Sequence, residues 1–197
     1  MKIIFLDIDG VLATNKEFAM NRTKFQTKHP EAKEIRIPYP FNPECVKIFN
    51  EILEETNSVI VLSSDWRFHW DLNDLDKIFK FNGVKKSPVA ITSKMKRKIS
   101  SELEDDRSFQ IKTYVDEMLP DVWVAIDDLN LKSLGDNFIR TKDSEGLKQS
   151  GIKEKIIKIL NNGNDITSNI YRQQRFIHTC CFKHFRHKLD SMFNKCK

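Results

Sequence analysis

No stretch of this sequence approaches the ~20 consecutive apolar residues that a membrane-spanning helix needs. The run Ile3-Ile4-Phe5-Leu6, behind a lone Lys2, is too short for the apolar core of a secretory signal. Cysteine is sparse as well. Of four in 197 residues, Cys45 stands alone and Cys180, Cys181 and Cys196 crowd the last eighteen, which is no disulfide framework. Reduced thiols and a cytoplasmic location are therefore expected, with no membrane partner. The tail also holds His178, His184 and His187, but none of the paired spacings of a zinc site is present. Residues 1–164 have no net charge, with 26 basic and 26 acidic groups; 165–197 carry seven Lys/Arg against two Asp and so account for the whole net +5.

The length suits one sizeable core with a small appendage. Apolar runs at 2–6, 59–62 and 122–126 read as buried parallel strands, and Pro88–Thr92 and Phe138-Ile139 as shorter ones. Helices are expected from Pro43, with Asn42 as cap and Val46, Ile48, Phe49, Ile52 and Leu53 on one face, and over Asp71–Phe81, with Gly83 at the stop. Ile111, Tyr114, Val115 and Met118 outline a third helix that Pro120 ends, and Ile152–Leu160 a last one. Residues 13–40, polar and holding Pro30, Pro38 and Pro40, read as an irregular excursion with at most one short helix. Lys94–Asp106 reads as a solvated, charge-dense loop or an exposed helix turn. Alternating strands and helices over 1–160 predict a three-layer α/β, Rossmann-like, mostly parallel sheet with active residues at the strands' carboxyl ends. Asn161-Asn162-Gly163-Asn164 marks a boundary, and a basic amphipathic helical tail follows.

Three polar clusters each end an apolar run: Asp7/Asp9, Ser63/Ser64 and Asp127/Asp128. On adjacent parallel strands they meet at one edge. Carboxylates gathered so closely repel one another unless a hard cation neutralises them, and all-oxygen ligation suits Mg²⁺ rather than zinc. The residue types also match phosphoryl transfer, which needs an in-line nucleophile, a cation on the phosphoryl oxygens, hydrogen-bond donors and a proton source for the leaving oxygen. Asp7 is placed to attack and form an aspartyl phosphate, and Asp9 to act as general acid and then base. Gly10 permits the tight backbone path that brings amides close to a phosphate.

These segments resemble the motifs of the haloacid dehalogenase (HAD) superfamily of phosphohydrolases. Asp7-Ile8-Asp9-Gly10-Val11-Leu12 is similar to the first motif, which implies Asp7 as nucleophile and Asp9 as acid/base that also offers its backbone carbonyl to Mg²⁺. Val59-Ile60-Val61-Leu62-Ser63-Ser64 is similar to the second, implying that Ser63 binds the phosphoryl oxygens, with Ser64 and Gly10 beside it. Val124-Ala125-Ile126-Asp127-Asp128 is similar to the fourth, implying metal ligation by Asp127, the more direct ligand, and Asp128. For the basic residue of the third motif Arg107 is preferred, as a catalytic and substrate-binding group; Lys112 is the alternative, and Lys148 fits less well. Ser63-Ser64-Asp65-Trp66-Arg67, followed by Asp127-Asp128 and Arg140-Thr141-Lys142-Asp143-Ser144-Glu145-Gly146-Leu147, resembles a compact HAD subgroup that includes domains of RNA-repair proteins.

The resemblance implies a HAD-like domain over 1–160, with a minimal cap or loop insertion at about 13–42, and a linker and basic tail over 161–197. A cap that small leaves a fairly open site. The implied function is Mg²⁺-dependent hydrolysis of a phosphorylated small molecule or nucleotide. The alternatives are a nucleotide or polynucleotide-end phosphatase of nucleic-acid repair, with the basic tail as an electrostatic handle, and a non-catalytic binding protein on the same fold. Each motif also has a plainer reading: a surface turn or calcium loop for Asp7–Gly10, a helix cap for Ser63, an ordinary loop start for Asp127-Asp128 and a solvated side chain for Arg107. Trp66, Phe68 and Trp70 read as core or capping-loop aromatics before base-stacking ones.

Overall fold

The computed structural model describes residues 1–19, 22–94 and 103–162. In chain order these form β1 (Lys2–Leu6), α1 (Asn15–Phe18), α2 (Arg22–Lys28), α3 (Pro30–Glu34), α4 (Pro43–Thr56), β2 (Val59–Leu62), α5 (Leu72–Phe81), β3 (Ala90–Ile91), α6 (Leu103–Met118), β4 (Val122–Asp127), β5 (Phe138–Arg140) and α7 (Ile152–Asn162). Single 3-10 turns lie at Asp65–Phe68, Lys132–Asn137 and Gly146–Lys148. One unit spans Met1–Asn161; beyond Asn162 the chain, including the tail expected to be helical, lies outside the described residues.

The five strands make one all-parallel sheet in the order β3-β2-β1-β4-β5. Its central strand is buried on both sides. Ile4 and Leu6 join a core with Ile52, Leu53, Ile78, Ile156 and Leu160 of α4, α5 and α7, while Ile3 and Phe5 join a second core with Ile111 of α6, Leu131 and Leu134. Helices therefore cover both faces, as an all-parallel sheet requires. The chain reverses its direction of winding between β1 and β4, so a crevice opens beyond their carboxyl ends.

The caps explain where several helices begin. Asn42 accepts from the amides of Glu44 and Cys45 at 3.0 and 3.3 Å, and Asp71 from that of Asp74 at 2.8 Å. The excursion after β1 is more ordered than its composition suggests, holding three short helices. Each is specified locally. Glu17 accepts from the Thr14 amide at 2.9 Å, Pro30 opens α3, and Phe25, Ala32 and Ile37 are buried in the first core. Of the two readings of Lys94–Asp106, a solvated loop or an exposed helix turn, the described part follows the second at first, because α6 has begun by an exposed Leu103, though Asp106 is already buried. Leu72, the first residue of α5, is exposed, whereas Leu75, Ile78 and Phe79 are buried.

Gly146 joins the loop after β5 to the loop after β1. Its φ of +56° is left-handed, and a Cβ there would lie 2.5 Å from the Val11 carbonyl oxygen, which also accepts from the Leu147 amide at 3.1 Å. Gly146→Ala is expected to cost about 2 kcal/mol through strain at this contact, read as a lower urea midpoint at unchanged slope; an unchanged midpoint would show that the two loops yield freely.

Candidate active site

The backbone ladder carries on one residue past each strand and sets the polar groups level at one edge. The Asp7 amide donates to the Ile126 carbonyl at 3.0 Å, that of Ser63 to Leu6 at 2.9 Å, and that of Thr141 to Asp127 at 3.0 Å. With Leu6 paired to both Leu62 and Ile126, Asp7 falls between Ser63 and Asp127, at a strand spacing of ~4.8 Å. Side chains alternate along a strand, so Asp7 takes the side of Ile3 and Phe5, Ser63 that of Val61, and Asp127 that of Ala125. All of those apolar residues belong to the core that Ile111 of α6 enters, and Arg107 stands one turn before Ile111 on the same helix face.

Arg107 is accordingly buried among carboxylates. Its Nη1 donates to Asp7 Oδ2 at 2.8 Å and to both oxygens of Asp127 at 3.1 and 2.9 Å, and its Nη2 to Asp65 Oδ1 at 3.0 Å. Burial alone would make this guanidinium easier to deprotonate, but Asp7 and Asp127 outweigh it and fix the charge. Lys112 is exposed on the same helix. Arg67 is also buried; its Nη1 donates to the carbonyls of Ser63 and Ser64 and its Nη2 to Gln110 Oε1 at 2.7 Å, which ties the loop after β2 to α6.

Asp7, Asp127 and Asp128 each offer an oxygen within 4.8 Å of the others. Burial first, and the charge of Asp7 second, raise Asp127 well above the usual carboxylate range and push Asp128 up to about 6. Three carboxylates thus gather around one bonded guanidinium, which leaves a formal deficit of positive charge. An all-oxygen donor set with that deficit fits a hard divalent cation such as Mg²⁺. Gly10 belongs to the same wall: at φ +71°, a Cβ there would lie 2.6 Å from the Asp128 side chain. The Gly10 carbonyl accepts from Thr141 Oγ1 at 2.8 Å. Ser63 Oγ is buried and has no hydrogen-bond partner among the described residues, whereas the Ser64 hydroxyl caps the turn at Asp65–Phe68 by accepting from the Trp66 amide at 3.4 Å.

Asp9 stands apart from this trio. Tyr39 Oη donates to its Oδ1 at 2.6 Å, and Trp66 Nε1 reaches Oδ1 and Oδ2 at 3.2 and 3.1 Å. Burial raises the Asp9 carboxyl above its ordinary value; the Tyr39 hydrogen bond opposes the rise and the charge of Asp7 adds to it. Asp9, Asp65 and Asp128 are partly exposed while Asp7, Ser63 and Asp127 are buried, so the site meets solvent on the side of the former three.

Sequence reasoning thus named the residues that meet at the edge and missed several that hold them. Asp65, Arg67 and Gln110 extend the Arg107 network, and Tyr39 and Trp66 grip Asp9. The position of Asp65 and Trp66 directly behind Ser63-Ser64 was the available signal; Tyr39, between two prolines, offered none.

A family model described as the HAD domain in Swiss Army Knife RNA repair proteins matches residues 3–152. No curated protein and no solved structure matches the chain.

Replacing Arg107 by Met should leave Asp7, Asp127 and Asp65 without their shared cation. The expected loss is about 3 kcal/mol or more, as when one partner of a buried ion pair is removed. Chemical denaturation in EDTA measures it, and a variant within about 1 kcal/mol of the parent would show that the carboxylates do not depend on this residue.

Proposed function

The chain belongs to the family of HAD domains in Swiss Army Knife RNA repair proteins, and from that premise we propose that it is a Mg²⁺-dependent phosphomonoester hydrolase acting through Asp7. The observation that carries this reading is the convergence of the Asp7, Asp127 and Asp128 carboxylates, beside an unpartnered Ser63 hydroxyl, at one edge of the sheet. Asp7, Asp127 and Asp128 would hold the ion, with the backbone carbonyl of Asp9; Mg²⁺, when bound, neutralises the phosphoryl oxygens and orients them. Asp7 attacks phosphorus, and the bond to the leaving oxygen breaks as Asp9 supplies its proton. Ser63 and amides of the Gly10 loop donate to the phosphoryl oxygens, and Arg107 holds Asp7 in place through its hydrogen bond to Oδ2. Asp9 then takes a proton from the water that hydrolyses the aspartyl phosphate. The segment 13–42 acts as a minimal cap, a reading supported by its delivery of Tyr39 to Asp9. The unpaired, buried Cys45 is in keeping with a reducing, cytoplasmic setting.

A second reading narrows the substrate to nucleotides or phosphorylated nucleic-acid ends. The family description, with its RNA repair proteins, favours it. So do the seven basic residues of 165–197, which lie outside the described residues. Among the described residues no helix is long and apolar enough to cross a membrane.

Asp7→Asn is expected to abolish hydrolysis of an aryl phosphate with the fold retained, and EDTA to abolish it in the parent; turnover that survives either change would refute the assignment. Independently of activity, millimolar Mg²⁺ should raise the melting temperature of the parent, by RT ln(1 + [Mg²⁺]/Kd) in stability, and raise that of Asp127→Asn much less. Equal rises would remove Asp127 from the ligand set.

For the narrower reading, sugar phosphates, nucleotides and oligonucleotides phosphorylated at either end are compared at two salt concentrations, with and without residues 165–197. Oligonucleotide affinity should fall on truncation and with salt, at a log–log slope of about −0.7 per phosphate neutralised on single strands. Affinity indifferent to both would eliminate the tail as a handle.

A further inference from the structure

Asp9 is the one proposed catalytic group that neither the ion-pair network nor the sheet holds in place. The chain leaves the strand after Leu6 and turns: the amides of Val11, Leu12 and Ala13 all converge on the Ile8 carbonyl, at 3.2, 2.9 and 3.0 Å. That turn carries the Asp9 side chain away from Asp7 and against two aromatic residues. Tyr39 donates to Oδ1 at 2.6 Å, and Trp66 divides its hydrogen bond almost evenly, 3.2 Å to Oδ1 and 3.1 Å to Oδ2, so that among the described residues Oδ1 holds two donors and Oδ2 one.

The two donors are themselves backed by the core. Trp66 is buried, lies 4.6 Å from Trp70 between ring centroids, and meets Tyr39 and Phe41 edge-on at 5.7 and 6.0 Å. Phe41 in turn meets Phe79 of α5 at 5.6 Å. The Phe41 amide donates to Asn82 Oδ1 at 2.7 Å, and the next amide, Asn42, to the Leu12 carbonyl at 2.8 Å, which anchors the backbone that presents Tyr39. An aromatic wall thus holds a partly exposed carboxyl, with two donors on Oδ1 and one on Oδ2.

We propose that Tyr39 and Trp66 are positioning residues for the acid–base step: Tyr39 pins Oδ1 of Asp9, Trp66 spans both oxygens and fixes the plane of the carboxyl, and Oδ2, the oxygen that the tyrosine does not hold, carries the transferred proton. The inference rests on the phosphohydrolase reading above and adds a geometric role to it. In the first step a bond forms between an Asp7 oxygen and phosphorus, and the bond from phosphorus to the leaving oxygen breaks, its electron pair staying on that oxygen. A proton passes from Asp9 Oδ2 to the same oxygen, and Asp9 is left ionised. With the proton on Oδ2, Trp66 and Tyr39 both still donate to Oδ1, so neither hydrogen bond conflicts with the acid form. Once Asp9 is ionised, Trp66 spans both oxygens and Tyr39 keeps the carboxylate facing the site for the water-activating step. Orientation of this kind matters because a proton is transferred only within hydrogen-bond reach of the oxygen that needs it.

The test uses the leaving group as the readout. A nitrophenolate departs as a stable anion and needs little help from an acid, whereas an alkoxide must be protonated as it leaves. kcat/KM covers the steps up to that departure, while hydrolysis of the aspartyl phosphate is common to both esters and enters only kcat. For the full chain, kcat/KM is measured on p-nitrophenyl phosphate and on a simple alkyl phosphate. Tyr39→Phe, which removes one oxygen and keeps the ring, should lower the alkyl-to-aryl ratio of kcat/KM about tenfold, a fraction of the ~10²–10⁴ typical of a whole acid–base group. Trp66→Phe should shift the ratio in the same direction, with melting temperature recorded to confirm that each variant is folded. Asp9→Asn sets the full scale of the effect.

If Asp9→Asn splits the two esters and neither aromatic variant does, the positioning role is overturned while the phosphohydrolase reading stands. Equal losses on both esters in the aromatic variants overturn it too, since a merely structural defect does not read the leaving group. If Asp9→Asn itself shows no split, or the parent turns over neither ester, the acid–base assignment or the hydrolase reading falls, and this inference with it.

Discussion

Everything at the carboxyl edge of the sheet depends on how one guanidinium is shared among buried carboxylates. Arg107 touches Asp7, Asp127 and Asp65 at once, and its contacts to Asp7 and Asp127 lie where water screens the charges little. Like charges in such a place either protonate, separate or recruit cations. Asp7, Asp127 and Asp128 outnumber the one arginine that bonds them, and burial raises the carboxyls of Asp127 and Asp128. The deficit is an electrostatic opening for a divalent ion on one side and explains why the rest of the loop network is built so firmly. Arg67 gives its shorter hydrogen bonds to two backbone carbonyls and Gln110 and only a long one, at 3.5 Å, to Asp65, and so fixes the Ser63-Ser64 loop to α6.

That arrangement follows from a parity rule. Because side chains alternate along strands, the positions that place Ile3, Phe5, Val61 and Ala125 against α6 also place Asp7, Ser63 and Asp127 on α6's side of the edge. The helix therefore has two tasks along one face: Ile111 fills the core beneath the sheet, and Arg107 and Gln110, within a turn of it, serve the site. A helix with polar residues turned inward at its first turns cannot show a clean apolar stripe.

That is the physical reason its beginning was not legible. The strands were, because a buried parallel strand is an uninterrupted apolar run, and three such runs ended in the residues that now meet. The helices α4 and α5 were legible from caps and spacing together. Leu103–Asp106 could be read as solvated loop or exposed helix turn because Asp106, Arg107, Ser108 and Gln110 are buried against the grain of their hydropathy. The short helices after β1 escaped for a different reason: they are set by single contacts, local ones such as the Thr14 amide to Glu17 and distant ones such as Asn42 Nδ2 to Glu17 at 3.1 Å, and no periodic pattern can accumulate over so few residues. Trp66 could be read from sequence as core, and it is buried, yet its N–H faces Asp9; a buried indole must place that donor somewhere, and sequence does not say where.

The spacing of Asp7 and Asp9 poses a final constraint. On a strand that ran on, two residues separated by one would share a face and an environment, and a crowded pair of carboxylates would titrate as a unit. Different tasks require different surroundings. The turn at Ile8–Ala13 supplies them: Asp7 stays level with the strand edge, one oxygen accepting from the Ile8 amide at 2.8 Å and the other from Arg107, while Asp9 is turned against neutral donors on aromatic rings. Gly10 is what permits so abrupt a divergence, since any side chain at its left-handed backbone would strike Asp128. One carboxylate thereby rests in an ionic setting and its neighbour in an aromatic one, two residues apart in the chain.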